Sequence, residues 1–230
     1  MLTYLQGNTR PEISMATHQL ARFCQNPKLS HEQATTRLGR YLAHTKDRGI
    51  VYNPDKSMGI ECYVDADFAG GWNANTSADA DNVMSRTGFV ITYANCPIYW
   101  ASRLQTEIAL STMEAEYVAL SQSCKDLFPL LDQIKELSEA VGLSPSELTN
   151  MHIKIHEDNV GALTLGKLEP RRMTPRSKHY AVKYHCFREH LGPRNIQLVK
   201  ISSSEQLGDL FTKGLGKVLF QGLRKKLMGW

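Results

Sequence analysis

The order of strand-like and helix-like runs constrains the fold of this chain more than any other feature. Beyond residue 50, three antiparallel strands in succession are predicted by the runs IVYNPDKSMGIECYVDADFAGG and TGFVITYANCPIYWASR, the second interrupted by Ala-Asn-Cys-Pro. A helical pattern follows from Ser111 to about Val141, where Pro129 predicts a kink or a break into two helices. Two further strands are predicted by MHIKIHEDN and NIQLVKIS, with helical segments between and after them. We therefore expect an α/β fold.

The first part of the chain has a different pattern. Two helical runs, PEISMATHQLARFC and HEQATTRLGRYLAH, are separated by QNPKLS, whose Pro and Ser end one helix and begin the next. This predicts a helical hairpin. With 230 residues, of which 42% are hydrophobic, the chain is long enough for one compact domain and an appendage. We place the boundary after residue 49, giving segments 1–49 and 50–230.

Charge and cysteine content narrow the class of protein. The formal net charge of +4 is compatible with a polyanionic partner but does not establish one. The five cysteines form no C-x-x-C pair, which argues against a disulfide framework and a cysteine-rich zinc site. The sequence has no signal-peptide pattern and no apolar run of membrane-spanning length. We therefore expect an intracellular protein in a reducing compartment, with no membrane partner.

Glu116 occupies an unusual place in its predicted helix. An apolar stripe at helical spacing is formed by Met113, Tyr117, Leu120 and Cys124. Glu116 lies at the edge of this stripe, so its carboxylate should face the border of the core. Glu114 has an ordinary explanation, because Ser111 and Glu114 fit a capping box. Glu116 has none, and it therefore needs a partner elsewhere in the fold.

Three aspartates could share a site with Glu116. Asp65 lies on one face of a predicted strand near its end, Asp158 follows the strand MHIKIHE, and Asp209 lies in the segment predicted as the closing helix. Clustered carboxylates raise one another's pKa unless a cation neutralises them. Mg²⁺ prefers such oxygen ligands, and two Mg²⁺ ions can promote hydrolysis of a phosphodiester. The four carboxylates therefore indicate metal-dependent phosphodiester chemistry.

Each of these residues also has a structural explanation when it is taken alone. Asp158 could cap a helix, and Asp209 could be a solvated helix residue. Asp65 could belong to a turn, and Glu116 could be a surface charge. Spacing alone leaves both interpretations open.

Longer motifs give the chain a family resemblance. From about residue 50 to residue 230 they are, in order, YVDADFAGGW, SRTGFVITY, YWASRLQTEIALSTMEAEYVALS, HEDNVGALTL, RSKHYAVKYHCFREHL and SSSEQLGDLFTKGL. In these motifs the chain resembles the ribonuclease H domain at the end of the Pol polyprotein of copia-type LTR retrotransposons. The segments TRPEISMATHQLARF and RLGRYLAHTKDRGIVY resemble the link from the reverse transcriptase thumb and connection region of the same polyproteins.

The resemblance implies a fold and a set of site residues. The fold would be ribonuclease H-like, with a five-stranded mixed sheet flanked by helices, preceded here by the N-terminal helical hairpin. Carried over motif by motif, the catalytic and metal-binding residues are Asp65, Glu116, Asp158 and Asp209. Asp67 and Glu114 are the neighbouring alternatives, and both rank lower.

The resemblance also implies an activity. It is an endonuclease that cuts the RNA strand of RNA/DNA hybrids during reverse transcription, with two Mg²⁺ ions as cofactors and Mn²⁺ as a substitute. The other partner is the reverse transcriptase portion of the same polyprotein. The implied location is the cytoplasm, in a virus-like particle, with the nucleus as a second location.

One position departs from the family pattern. Upstream of Asp209, where relatives commonly carry an aromatic residue or His, this chain has Lys200 followed by Ile-Ser-Ser. In many ribonucleases H a mobile His near the last Asp assists the reaction, so that auxiliary role is in doubt here. The serines that follow are also expected to cap the closing helix.

A basic run with interspersed histidines lies between Lys167 and Lys200. Such a run is often only a solvated face, but beside a metal site it is suited to contacting backbone phosphates. The substrate contacts that we favour are Arg176, Lys178 and His179. The three histidines His179, His185 and His190 follow no zinc-site spacing. The aromatic residues expected in the core rather than in base stacking are Tyr180, Tyr184 and Phe187.

Other functions are compatible with parts of the pattern. In integrases and transposases the Glu comes last, whereas here it comes second, and the exonuclease relatives place Asp and Glu one residue apart on the first strand, which this chain does not. A catalytically inactive ribonuclease H-like remnant that binds nucleic acid, or acts as a scaffold for the polymerase, remains the alternative. Polymerase activity is not expected, because the chain has no Tyr-x-Asp-Asp motif.

Overall fold

Five strands form one sheet in the computed structural model, which describes residues 1–55, 57–72, 80–142, 152–170, 172 and 184–230. The strands are β1 (Ile60–Asp67), β2 (Arg86–Tyr93), β3 (Cys96–Leu104), β4 (Ile153–Glu157) and β5 (Ile196–Lys200). Their order across the sheet is β3-β2-β1-β4-β5, so β1 lies in the centre. The first half of β1 therefore has a neighbouring strand on each side, whereas its C-terminal end, which carries Asp65, pairs with β2 and extends beyond its pairing with β4.

The sheet is mixed in direction. The first three strands pair antiparallel, whereas β4 runs parallel to both β1 and β5. The turn between β2 and β3 has Ala94 and Asn95 at φ values of 50° and 65°, the left-handed conformation that two-residue hairpin turns need. The α/β class and the five-stranded mixed sheet of the ribonuclease H-like fold are thus confirmed.

Helices flank the sheet and precede it. Their bounds are α1 (Leu2–Asn8), α2 (Ser14–Ala21), α3 (Leu29–His44), α4 (Ala80–Val83), α5 (Thr112–Ala140), α6 (Val160–Gly166), α7 (Arg188–Leu191) and α8 (Lys217–Met228). The predicted hairpin corresponds to α2 and α3, and α1 was not predicted. Pro129 lies inside α5 without dividing it, so the predicted break does not occur.

Each face of the sheet has its own apolar cluster. On one face, Cys62 and Val64 of β1 pack with Tyr117 and Leu120 of α5. On the other, Val90 of β2 belongs to a cluster with residues of α8 and of the turn that precedes it. Burying one large apolar side chain contributes about 1.5–3 kcal/mol. The two clusters therefore fix α5 and the C-terminal segment against opposite faces of the same strands.

The segment predicted as a closing α-helix is instead two 3₁₀ turns, Ser203–Glu205 and Leu207–Phe211. Gln206 is extended between them, and its side chain donates to the Val64 carbonyl at 2.8 Å and accepts from the Gly208 N–H at 3.1 Å. A Cβ on Gly208 would lie 2.8 Å from the Asp65 Cβ, so only glycine allows this approach. The tertiary contact with β1 overrides the local helical pattern and brings Asp209 to the end of β1.

Residues 1–49 contact both the sheet and the C-terminal end of the chain. The indole N–H of Trp100 in β3 donates to the Gln6 carbonyl at 2.6 Å, and that of Trp230 donates to the Gly49 carbonyl at 2.8 Å. The division of the chain after residue 49 stays a prediction. Among the described helices, none combines the length and the apolar character that crossing a membrane requires.

Candidate active site

The four acidic residues singled out in the sequence lie on four different elements. Asp65 lies near the end of β1, Glu116 in the first turns of α5, Asp158 directly after β4, and Asp209 in the second 3₁₀ turn. Asp65, Glu116 and Asp209 are buried, and Asp158 is half-buried. The sheet order explains this meeting, because β1 and β4 are parallel neighbours and end at the same edge.

The structure brings three of these carboxylates into one group. Asp65, Glu116 and Asp158 each offer an oxygen, and these oxygens lie within 4.8 Å of one another. Asp209 is outside that group, and Lys213 links it to Asp65. The Lys213 ammonium is 2.9 Å from Asp209 Oδ1 and 3.6 Å from Asp65 Oδ2.

The start of α5 explains why Glu116 is available. Ser111 caps the helix, because its hydroxyl accepts from the Glu114 N–H at 3.1 Å. The Glu114 carboxylate accepts from the Leu110 N–H at 2.8 Å, so this residue belongs to the cap, as the sequence predicts. Glu116, two residues later, points into the acidic group and is 4% exposed.

Hydrogen bonds orient the other carboxylates. Asn159, not Asp158, caps α6, because its side chain accepts from the Ala162 N–H at 3.0 Å. Asp158 is free for another role, and its Oδ2 accepts from the Ser203 hydroxyl at 2.6 Å. The Thr212 hydroxyl donates to Asp65 Oδ2. Such second contacts fix the direction of a ligand carboxylate.

The electrostatics of the group are unfavourable when no cation is bound. Burial raises the pKa of Glu116 to about 11, with further contributions from Glu157, Asp65 and Asp158, while a hydrogen bond from the Ala66 backbone opposes the rise. Burial and Asp65 likewise raise the pKa of Asp209 to about 7, against the effect of Lys213. The site therefore disfavours ionised carboxylates unless positive charge enters it.

An unsatisfied atom indicates where that charge fits. Glu116 Oε2 is buried and has no hydrogen-bond partner in the described part of the chain. A buried carboxylate oxygen without a donor is costly, and it lies within a group of three carboxylates. Hard oxygen ligands of this kind suit Mg²⁺ or Mn²⁺. The residues present thus fit a divalent cation.

Two charged residues of the site were missed in the sequence. Glu157 is fully buried at the end of β4, where Oε1 accepts from the Asn159 N–H at 2.9 Å and Oε2 has no hydrogen-bond partner among the residues that the structure describes. Burial is the main cause that raises its pKa well above the usual value. The alternation of Ile153, Ile155 and Glu157 could have revealed its inward direction. Lys213 follows Asp209 by four residues, a spacing that allows an ion pair.

The two lower-ranked acids lie outside the three-carboxylate group. Glu114 is used in the helix cap, and burial raises the pKa of Asp67. Lys200 is exposed, and the described cation that contacts the carboxylates is Lys213. Among the described contacts, none joins Lys200 to the carboxylates. The structure therefore gives Lys200 no part in the auxiliary role that a His has in many ribonucleases H.

The predicted substrate contacts Arg176, Lys178 and His179 lie outside the described residues, as does Tyr180. Two other arginines of the basic run are used internally. Arg188 is buried and donates to the Arg172 carbonyl at 2.8 Å, and Arg194 binds both oxygens of Asp132 at 2.6 and 3.1 Å. These two arginines therefore have partners within the protein.

The aromatic residues of this segment that are described, Tyr184 and Phe187, are buried as predicted. His185 lies with them, and its Nδ1 is 2.8 Å from the Tyr117 hydroxyl. This histidine therefore takes part in core packing.

Sequence comparison finds relatives over nearly the whole chain. A retrovirus-related Pol polyprotein from transposon TNT 1-94 of Nicotiana tabacum is 33% identical over 228 residues, which is 99% of this chain and 16% of the relative. That from transposon RE2 of Arabidopsis thaliana is 31% identical over 219 residues, which is 95% of this chain and 14% of the relative. The chain thus spans about a seventh of these polyproteins, and no family model matches it.

Among solved structures, the chain is similar to LC11-RNase H1 isolated from compost, with 18% identity and a TM-score of 0.45 over 67% of this chain and 92% of that one. The same protein in complex with an RNA/DNA hybrid gives 17% identity and a TM-score of 0.42 over 66% and 93%. The sheet order and the strand directions define the fold independently of this likeness.

Proposed function

Because the chain belongs to the retrovirus-related Pol polyproteins of copia-type transposons, we propose that it is a divalent-metal-dependent endonuclease that cleaves the RNA strand of RNA/DNA hybrids. One observation carries the proposal: the oxygens of Asp65, Glu116 and Asp158 lie within 4.8 Å of one another. Glu116 Oε2, buried without a partner in the described residues, adds to it. Such a group is costly without a cation and suited to one.

In the proposed mechanism, Asp65, Glu116 and Asp158 would hold one divalent cation, and Asp65 and Asp209 would hold a second. When bound, the two Mg²⁺ or Mn²⁺ ions supply an activated water and stabilise the leaving oxygen. The hydroxyls of Thr212 and Ser203 orient the carboxylates of Asp65 and Asp158. Hydrolysis would leave a 3′-hydroxyl and a 5′-phosphate.

We also propose partners and a location for this activity. The substrate is an RNA/DNA hybrid, in which the RNA strand is distinguished by its 2′-hydroxyls. Arg176, Lys178 and His179 remain proposed phosphate contacts. Segment 1–49 is proposed to continue the reverse transcriptase portion, and residues 50–230 to form the ribonuclease H domain. The proposed setting is a cytoplasmic virus-like particle, with the nucleus second.

The test is cleavage of a hybrid labelled on one strand at a time, with Mg²⁺ or with EDTA. We expect the wild-type chain to cut only RNA and only with the metal. Asp158→Asn and Glu116→Gln should each abolish cutting, whereas Glu114→Gln, at the helix cap and outside the acidic group, should retain it. Absence of cutting in both Mg²⁺ and Mn²⁺, in a folded chain that binds the hybrid, would contradict the proposal.

A binding module without nuclease activity is the second candidate, and Lys213 favours it. Its ammonium already neutralises part of the charge of Asp65 and Asp209, so one side of the site carries a cation without any metal. Hybrid binding that is unaffected by EDTA, together with no cleavage, would support this candidate.

A further inference from the structure

A cavity of about 180 Å³ lies beside the acidic group, between α2 and the loop that follows β1. Gly70 and Gly71 form part of its wall, and three cationic side chains, Arg22, Arg86 and Lys213, also line it. Lys213 connects the cavity to the acidic group, because the same ammonium is paired with Asp209. The cavity is thus next to the carboxylates on their Asp209 side.

Arg86, at the start of β2, carries a buried charge with neutral partners. It is 5% exposed, and its guanidinium donates to Gln19 Oε1 at 2.6 Å and to Ser102 Oγ at 3.2 Å. Nη1 also lies 2.8 Å from His18 Nδ1, which must accept because arginine only donates. Burial and Arg86 both lower the pKa of His18, so the ring is neutral. None of these contacts neutralises the guanidinium.

A second guanidinium lies next to the first. Arg22 donates to the same Gln19 oxygen at 3.2 Å, so one neutral amide oxygen serves both arginines. Burial, followed by repulsion from Arg22, lowers the pKa of Arg86 to about 10, although Asp67 opposes this. Asp67 also lines the cavity, and Lys213 is already paired with Asp65 and Asp209, so among the described residues the buried charge that lacks a counterion in direct contact is that of Arg86. An anion in the cavity would therefore relieve the electrostatic cost of burying Arg86.

We propose that this cavity binds a backbone phosphate of the nucleic acid, next to the phosphate that is cleaved. The inference rests on the proposed function and extends it, because α2 supplies part of the wall and so gives segment 1–49 a part in holding substrate. The volume, roughly six times the share of one water molecule, accommodates a phosphate group. Guanidinium groups also match the geometry of phosphate oxygens.

The test measures hybrid affinity by fluorescence anisotropy in EDTA over a series of NaCl concentrations. We compare the wild-type chain with Arg22→Gln, Arg86→Gln and the charge-preserving Arg86→Lys. Arg103→Gln is the matched control, because Arg103 of β3 binds Asp126 and Tyr99 and does not line the cavity. Circular dichroism establishes that each variant is folded.

The two glutamine variants should each bind the hybrid several-fold more weakly. The steepness of the salt dependence, which is the slope of log K against log [NaCl], should fall by about 1 in magnitude in each. Arg86→Lys should keep the wild-type steepness, as should Arg103→Gln. A folded Arg22→Gln variant with the affinity and salt dependence of the wild type would overturn the proposal. The result for Arg22→Gln alone decides the test if Arg86→Gln does not fold. Absence of hybrid binding by the wild-type chain would overturn it too.

Cleavage assays on the same samples separate this inference from the proposed function. A wild-type chain that shows the expected salt dependence but does not cut RNA in Mg²⁺ contradicts the nuclease and leaves the phosphate site standing. A chain that cuts RNA while both glutamine variants bind like the wild type contradicts the phosphate site alone.

Discussion

The Lys213 ammonium lies 2.9 Å from Asp209 Oδ1, so the fourth acidic residue of the site has a counterion within the chain, which it shares at 3.6 Å with Asp65. Asp209 is outside the group of three carboxylates whose oxygens lie close together. The two sides of the site should therefore respond differently to metal and to substitution.

Replacing Lys213 by Met should make the metal-free protein less stable. The substitution leaves Asp65 and Asp209 without their cation, and we expect a loss of about 1–2 kcal/mol in the free energy of unfolding. This is less than the ~3–5 kcal/mol of a fully buried pair, because the Lys213 side chain is 39% exposed. Thermal unfolding in EDTA measures the loss, and added Mg²⁺ should stabilise the variant more than the wild type.

Lys226→Met is the matched control, since Lys226 pairs with Glu205 on the surface. It should change stability by less than about 1 kcal/mol and leave the response to Mg²⁺ unaltered. An equal Mg²⁺ response in Lys213→Met and the wild type would show that Lys213 does not stand in for a cation.

Glu116→Gln should separate folding from metal binding. The raised pKa of Glu116, about 11, means that its neutral form is favoured in the metal-free fold, and Gln resembles that form. We expect a melting temperature in EDTA equal to or above that of the wild type, with most of the Mg²⁺-induced increase lost. A Glu116→Gln protein that Mg²⁺ stabilises as strongly as the wild type would remove Glu116 from the site.

Asp209 should make the stability of the metal-free protein depend on pH. Its pKa rises from an ordinary value of 3.8 to about 7, so the fold favours the protonated acid. The associated stability is complete below pH 3.8 and is lost as pH rises through 7. Asp209→Asn, which cannot ionise, should therefore gain stability relative to the wild type as pH rises from 4 to 8. Parallel melting curves in EDTA test this, and a constant difference across that range would contradict it.

Gly208→Ala should disturb the contact that holds the second 3₁₀ turn against β1. The added Cβ would lie 2.8 Å from both the Cβ and the backbone nitrogen of Asp65, so we expect a cost of about 1–3 kcal/mol. Gly222→Ala in α8, where a Cβ meets nothing within 4 Å, should instead stabilise by up to about 1 kcal/mol. Chemical denaturation measures both, and equal stability of the two variants would show that the close approach is unimportant.

Local patterns in the sequence predicted much of the fold. The alternation in β1 and β4 is visible because these strands bury one face against α5, and the capping box of Ser111 and Glu114 marks the start of that helix. The same cap gives Glu114 a local role and leaves Glu116 without one, so the sequence alone indicates that Glu116 needs a distant partner. These features depend on neighbours within a few residues.

Local sequence patterns could not predict contacts between residues that are far apart in the chain. The serines before Gln206 resemble a helix start, but the bond from Gln206 to the Val64 carbonyl joins residues 142 positions apart and replaces the helix by 3₁₀ turns. The bond from Arg86 to Gln19, across 67 positions, likewise depends on how α2 packs on the sheet. The cavity beside the acidic group results from that packing, and no motif in the sequence predicts it.

Calorimetric titration of Mg²⁺ into the wild-type chain, Asp158→Asn and Glu116→Gln tests the central claim most directly, namely that Asp65, Glu116 and Asp158 hold a divalent cation. We expect saturable binding by the wild type and its loss in both variants, with the fold of each intact by circular dichroism. Identical binding curves for the three proteins, or no binding by the wild type, would contradict the claim.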